Sequence, residues 1–172
     1  MPVVLAGILF CLPSCRQDDK PSGKMTYYDI AGNVKQEITH LQQSNPVVTK
    51  TVGHNGVSAT KKVKISKWEN ELSLFASSDI NKPAWRNSYQ VLKDSNVIIY
   101  KAKDPELRTR EIMIKTDGQK LKWMVIFNHT SNMLYTTSEK LSYFPDSLYM
   151  IEKSQKVRFL GINRYQIKDE LN

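Results

Sequence analysis

The stretch Arg108 to Asn128, RTREIMIKTDGQKLKWMVIFN, decides the fold. Two runs with β-branched and aromatic residues flank Asp117-Gly118, a dipeptide suited to the positive φ values of a tight hairpin turn. A two-residue loop predicts that Ile114 pairs with Leu121 and Ile112 with Trp123 on the core face. Glu111, Met113, Lys115, Lys120 and Lys122 then occupy the other face. On this reading Leu121, Trp123, Val125 and Phe127 form one apolar stripe, and the hairpin is the middle of an antiparallel sheet.

Strand signals continue on both sides. Upstream, Tyr89 and Val91 lead through Asp94-Ser95-Asn96 to Val97–Lys101, and Lys103-Asp104-Pro105 breaks the chain before Arg108. Downstream, Met133–Thr137, Leu141–Phe144, Leu148–Glu152, Val157–Leu160 and Arg164–Ile167 read as short strands. Asn128–Asn132 and Pro145-Asp146-Ser147 serve as turns, and Gly161 predicts a bulge or bend in the last pair.

Nearer the amino terminus, Ile30, Val34, Ile38 and Leu41 recur at helical spacing, with Asp29 or the later pair Asn33 and Gln36 as caps and Pro46 as terminator. Val47–Val52 and Val57–Ile65 form a second hairpin around His54-Asn55-Gly56. A strict two-residue loop sets Lys50 opposite Lys61, a like-charge pair that predicts a bulge to offset the register. Ser66-Lys67-Trp68-Glu69 has the form of a capping box, opening a second helix to about Ala76 with Trp68, Leu72 and Phe75 on one face. The architecture expected is α+β: a curved antiparallel β-sheet of about seven to nine strands packed by two helices.

The loop Ser78–Arg86 has no period. Lys82, Trp85 and Arg86 are the candidate ligand-binding residues, because an aromatic ring between cations is a composition enriched at binding hot spots. The plainer reading has Trp85 plugging the sheet edge while Pro83 stiffens the turn.

The chain's 172 residues suit one domain with a real core, and 40% hydrophobic with 24% charged residues is a globular composition. Its formal net charge of +8 is carried beyond residue 14. Lys and Arg are scattered through strand-like segments with no nucleic-acid motif, which reads first as solvated strand faces; a partner for this charge would be phospholipid headgroups, lipopolysaccharide or another acidic glycan, or an acidic envelope protein, and nucleic acid is not expected.

The amino terminus supplies an address. Val3 to Leu12 is apolar but too short for a helix to span a bilayer of about 30 Å, and it matches the core of a secretory signal, except that no Lys or Arg precedes it. Leu12-Pro13-Ser14-Cys15 resembles the lipobox of bacterial lipoproteins. That resemblance implies cleavage before Cys15, attachment of lipid to its thiol and acylation of the new terminus by palmitate-type chains. Several chains make a stable anchor at about 0.8 kcal/mol per buried methylene.

Arg16-Gln17-Asp18-Asp19-Lys20 resembles the acidic export signals behind the lipidated Cys of Bacteroidota surface lipoproteins, which implies an outer-membrane location, facing the periplasm or the cell surface. The domain plan is a signal peptide at 1–14, lipidated Cys15 with a tether at 15–24, and one domain at 25–172. In outline, sheet plus helices on a lipid anchor is similar to the carriers of the Lol pathway, which implies a lipid or lipoprotein acceptor with an apolar cavity as an alternative function.

No motif names a reaction. His40, His54 and His129 lack the paired spacing of a zinc site, and no Gly-x-Ser-x-Gly, phosphate loop, dinucleotide fingerprint or His-Glu-x-x-His occurs. No metal or cofactor is expected. The leading expectation is a non-catalytic binding or assembly module for an envelope partner; a glycan or peptide hydrolase ranks below the carrier. Two convergent carboxylates, or His40 or His129 beside one, would favour the hydrolase. A filled core without a cleft would oppose both carrier and hydrolase.

Overall fold

The structure, a computed structural model, describes residues 25–171. The leader, Cys15 and the tether lie outside those residues. Helix α1 (Ile30–Ser44) is followed by strands β1 (Val47–His54) and β2 (Val57–Lys64), then by short helices α2 (Trp68–Glu71) and α3 (Ser73–Ser77) and a 3-10 turn at Pro83–Trp85. Seven strands follow as a meander: β3 (Tyr89–Asp94), β4 (Val97–Ala102), β5 (Thr109–Asp117), β6 (Lys120–Ser131), β7 (Tyr135–Phe144), β8 (Leu148–Val157) and β9 (Gly161–Leu171).

All nine strands form one open antiparallel sheet in the order β2-β1-β9-β8-β7-β6-β5-β4-β3. The first hairpin therefore pairs with the last strand, and the chain crosses from edge strand β2 to edge strand β3 through α2 and α3. That crossing, together with α1, covers one face of the sheet. Ile30, Val34 and Leu41 of α1, Trp68 of α2, Phe75 of α3 and Leu72 between those two helices are buried there against Ile112, Met124, Ile126, Leu141 and Tyr149. Each fully buried large side chain contributes roughly 1.5–3 kcal/mol of transfer free energy.

Asp29 caps α1, its Oδ1 accepting from Gly32 N at 2.8 Å. The helix stops at Asn45 in the left-handed conformation, directly before Pro46. The expected second helix is broken at Leu72, which leaves the helical region at φ −96°, ψ 6°. Its capping box does not form, since Lys67 occupies the cap and makes no side-chain cap bond. Trp68, Leu72 and Phe75 nevertheless reach the core together.

Two register expectations and two strand boundaries are corrected. In the β5–β6 hairpin Asp117 pairs with Lys120 and Thr116 with Leu121, but Lys115 pairs with Trp123 and Ile114 with Met124. One extra residue on β6, Lys122, makes a bulge that reverses the facing of everything beyond it. Met124 and Ile126, both fully buried, fill the core, while Trp123, Val125 and Phe127 turn to the helix-free face and stay half-exposed.

In the first hairpin Lys50 does stand opposite Lys61, with no bulge, over a turn in which Asn55 and Gly56 have φ of 49° and 89°. Lys50 is neutralised from elsewhere, by Glu71 and Asp169. Finally, Val157–Leu160 is not a strand. Val157 pairs with Gly161 across the turn Arg158-Phe159-Leu160, and the two short segments expected between Met133 and Phe144 are one strand, β7.

Candidate functional site

The helices leave the other face of the sheet bare, and the β6 bulge gives that face its character. Leu92, Ile99, Met113, Val125, Ser142 and Met150 are successive cross-strand partners from β3 to β8, so they lie in one row. Five of the six are apolar and none is buried except Ser142. Phe127 belongs to the next row, between Glu111 and Lys140.

Beside this apolar row a concavity of about 720 Å³ crosses the sheet from the β1–β2 turn to β6. Two rows of its lining belong to the helix-free face: Phe127, Lys140, Glu152, Gln166 and Gly53, then His129, Ser138, Ser154 and Arg164. Gly53 has no side chain, and a Cβ there would meet Gln166 Cβ at 3.5 Å, so the floor is low at that point. Lys140 and Glu152 form an ion pair of 3.3 Å within the trough. Arg110 and Arg164 leave the lining with an excess of positive charge.

His129 Nδ1 lies 3.2 Å from Ser138 Oγ. Among the described residues that hydroxyl is the ring's hydrogen-bond partner, and no carboxylate orients the imidazole as a nucleophile relay requires. The pair is a cross-strand contact, and it places two polar side chains in the trough.

A second crevice of about 330 Å³ lies between α1, α3 and the sheet, lined by Val34, Leu72, Phe75, Leu121, Met124 and Tyr143, with Glu37, His40 and Asp146 also in its lining. Its volume is near the lower bound, about 300 Å³, of ordinary ligand pockets. His40 Nδ1 is 3.9 Å from Glu37 Oε1. Tyr143 is raised well above the ordinary phenol range, first by burial and then by the charge of Glu37.

Two carboxylates do converge, in a place the sequence did not indicate. Glu71 of α2 and Asp169 of β9 share Lys50 Nζ, at 2.7 and 3.2 Å. The Tyr149 hydroxyl donates to both, to Glu71 Oε2 at 3.2 Å and to Asp169 Oδ2. Asp169 is fully buried, and its Oδ1 has no hydrogen-bond partner among the described residues. Burial pushes the Asp169 carboxyl up, while Tyr149 and Lys50 pull it down. None of the four lines either concavity. The only sequence signal was the unfavourable juxtaposition of Lys50 and Lys61, which required a counter-charge.

At the loop singled out from sequence, Lys82 Nζ sits 4.1 Å from the Trp85 ring centroid. Trp85 packs partly into the core, and the carbonyls of Trp85 and Arg86 accept from the Tyr27 hydroxyl at 3.0 and 2.8 Å. Lys82 and Trp85 are thus brought together, and Arg86 is held by its backbone with an exposed side chain. Among the described residues no group of three or more His, Cys, Asp or Glu side chains is gathered for a metal, and no helix is long and apolar enough to cross a membrane.

No family model, no curated protein and no solved structure matches this chain.

Proposed function

We propose that this chain is a lipid-anchored outer-membrane lipoprotein whose domain is a non-catalytic binding module for an envelope protein. The observation that carries the reading is the unpartnered sheet face: an apolar row beside a basic trough. Apolar side chains in contiguous rows on a solvent-facing sheet mark interaction surfaces. The surrounding Arg110, Lys140 and Arg164 favour a partner with acidic groups. The lipobox-like Leu12-Pro13-Ser14-Cys15 supports the anchor at Cys15.

Crosslinking in the native envelope, followed by purification, tests the binding role. A protein should be recovered with the wild type and lost from the double variant Phe127→Ser, Met150→Ser. Recovery of the bare monomer alone would count against the reading. The anchor is tested separately by Cys15→Ala, which a high-salt or carbonate wash should release from native membranes while the wild type stays.

The lipid-acceptor alternative is supported by the crevice under α1 and α3, where Val34, Leu72, Phe75, Leu121 and Met124 offer an apolar floor beside a polar mouth that includes Glu37, His40, Lys120 and Asp146. Co-purification of lipid that is abolished by Leu72→Glu, with the fold retained, would favour it over protein binding.

A further inference from the structure

The sheet has two ends. The turns at 55–56, 132–134 and 158–160 lie at one end, and those at 95–96, 118–119 and 145–147 at the other. The first end carries the most exposed large apolar side chains of the described residues: Phe159 at 93%, Met133 at 84% and Leu160 at 79%, with Leu134 beside them at 69%. These four sit on two neighbouring turns, which Arg158 N joins by donating to Leu134 O at 2.9 Å. They form one apolar wedge at the end of the β6–β7 and β8–β9 hairpins.

Two independent features accompany the wedge. Phe159 holds φ of 72°, a left-handed conformation that a bulky residue adopts only at a conformational cost. Strain at an exposed aromatic, where Asn or Gly would relieve it, is the pattern of a segment kept for contact. Charge is the second feature. Neither 129–138 nor 153–167 contains an Asp or Glu, whereas Lys156, Arg158 and Arg164 follow directly behind the apolar residues. The Arg158 guanidinium lies 5.3 Å from the Phe159 ring centroid.

We propose that this end of the sheet docks on a lipid bilayer, with Phe159, Leu160, Met133 and Leu134 entering the interfacial region and Lys156, Arg158 and Arg164 meeting anionic headgroups. Exposed apolar side chains on two turns whose segments carry no carboxylate suit a deformable anionic surface, where apolar insertion and headgroup attraction act together. Aromatic rings are also favoured at that depth. The inference rests on the proposed function only in placing a bilayer nearby. With Cys15 lipidated, the nine residues 16–24 span at most about 32 Å, which keeps the domain close to the membrane that holds the anchor.

The test uses the full chain carrying Cys15→Ser, so that no acyl chain is attached at that position, with Phe159→Trp as a depth probe and Asp117→Trp at the opposite end as its control. Vesicles contain phosphatidylcholine and phosphatidylglycerol with brominated acyl chains, and the parent's three tryptophans give the background. The fluorescence added at position 159 should be lost to bromine quenching, and that added at 117 retained. Quenching at 159 should weaken in phosphatidylcholine alone. An unquenched signal at 159 would overturn the proposal and leave a protein as the occupant of the wedge. Equal quenching at both positions would also overturn it, because the domain would then have no preferred end. Cys15→Ser that stays soluble and unquenched would overturn the wedge alone, whereas Cys15→Ala that resists a high-salt wash of native membranes as well as the wild type does would overturn the anchor alone.

Discussion

Tyr149 and Asp169 face each other across β8 and β9, and the phenol hydroxyl donates to Oδ2 of a carboxylate that no solvent reaches. The carboxylate is kept in place by one cation, Lys50, which it shares with Glu71. A charge in that position makes folding depend on pH.

Burial raises the Asp169 carboxyl above its ordinary 3.8. Between 3.8 and the raised value the folded state therefore binds more protons than the unfolded chain, so the stability linked to Asp169 falls as pH rises through that window. It is fully present below 3.8. Denaturant unfolding of the wild type and Asp169→Asn should differ in slope across the window, the variant being flatter. Parallel profiles would show that Asp169 is not shifted.

Removing Lys50 leaves the buried carboxylate without its cation. Lys50→Met should destabilise by about 2–3 kcal/mol, toward the low end for a broken buried pair because Lys50 and Glu71 keep some exposure. Adding Asp169→Leu should recover part of that loss. The recovery, measured as non-additivity in a double-mutant cycle, is the readout; strictly additive losses would mean the two side chains are not coupled.

The β6 bulge makes a prediction opposite to simple alternation. Met124→Ala should destabilise by about 2–5 kcal/mol, because its side chain is fully buried. Trp123→Ala, on the half-exposed helix-free face, should cost clearly less despite removing a larger group. Thermal or urea unfolding ranks the two, and the reverse order would restore the unbulged register.

In the first hairpin, Gly56 lies at φ 89° with open space around the position a Cβ would occupy. Gly56→Ala should therefore destabilise through backbone conformation alone, by about 1–2 kcal/mol. A loss near zero in equilibrium unfolding would mean that the turn relaxes to another type.

Much of the fold was legible because its signals are local. The spacing of Ile30, Val34 and Leu41, the Asn55-Gly56 turn and the Trp68-Leu72-Phe75 face each lie within a few residues and appear where periodicity and turn chemistry place them, whereas the turn expected at Asp117-Gly118 sits one residue later, at Gly118-Gln119, with Asp117 paired to Lys120. The candidate site was less legible. Of the candidate residues Lys82, Trp85 and Arg86 the first two meet and Arg86 stands apart, while the helix-free apolar row depends on the extra residue Lys122, and no composition rule marks that residue as a bulge.

The sequence by itself determined the α+β class, the antiparallel meander and the basic charge. Tertiary structure alone decided which side of β6 faces the helices, because a single inserted residue inverts a period of two. It also decided that Lys50 tolerates Lys61 opposite, since the neutralising carboxylates arrive from positions 71 and 169. Those contacts exist only once β1 has closed against β9.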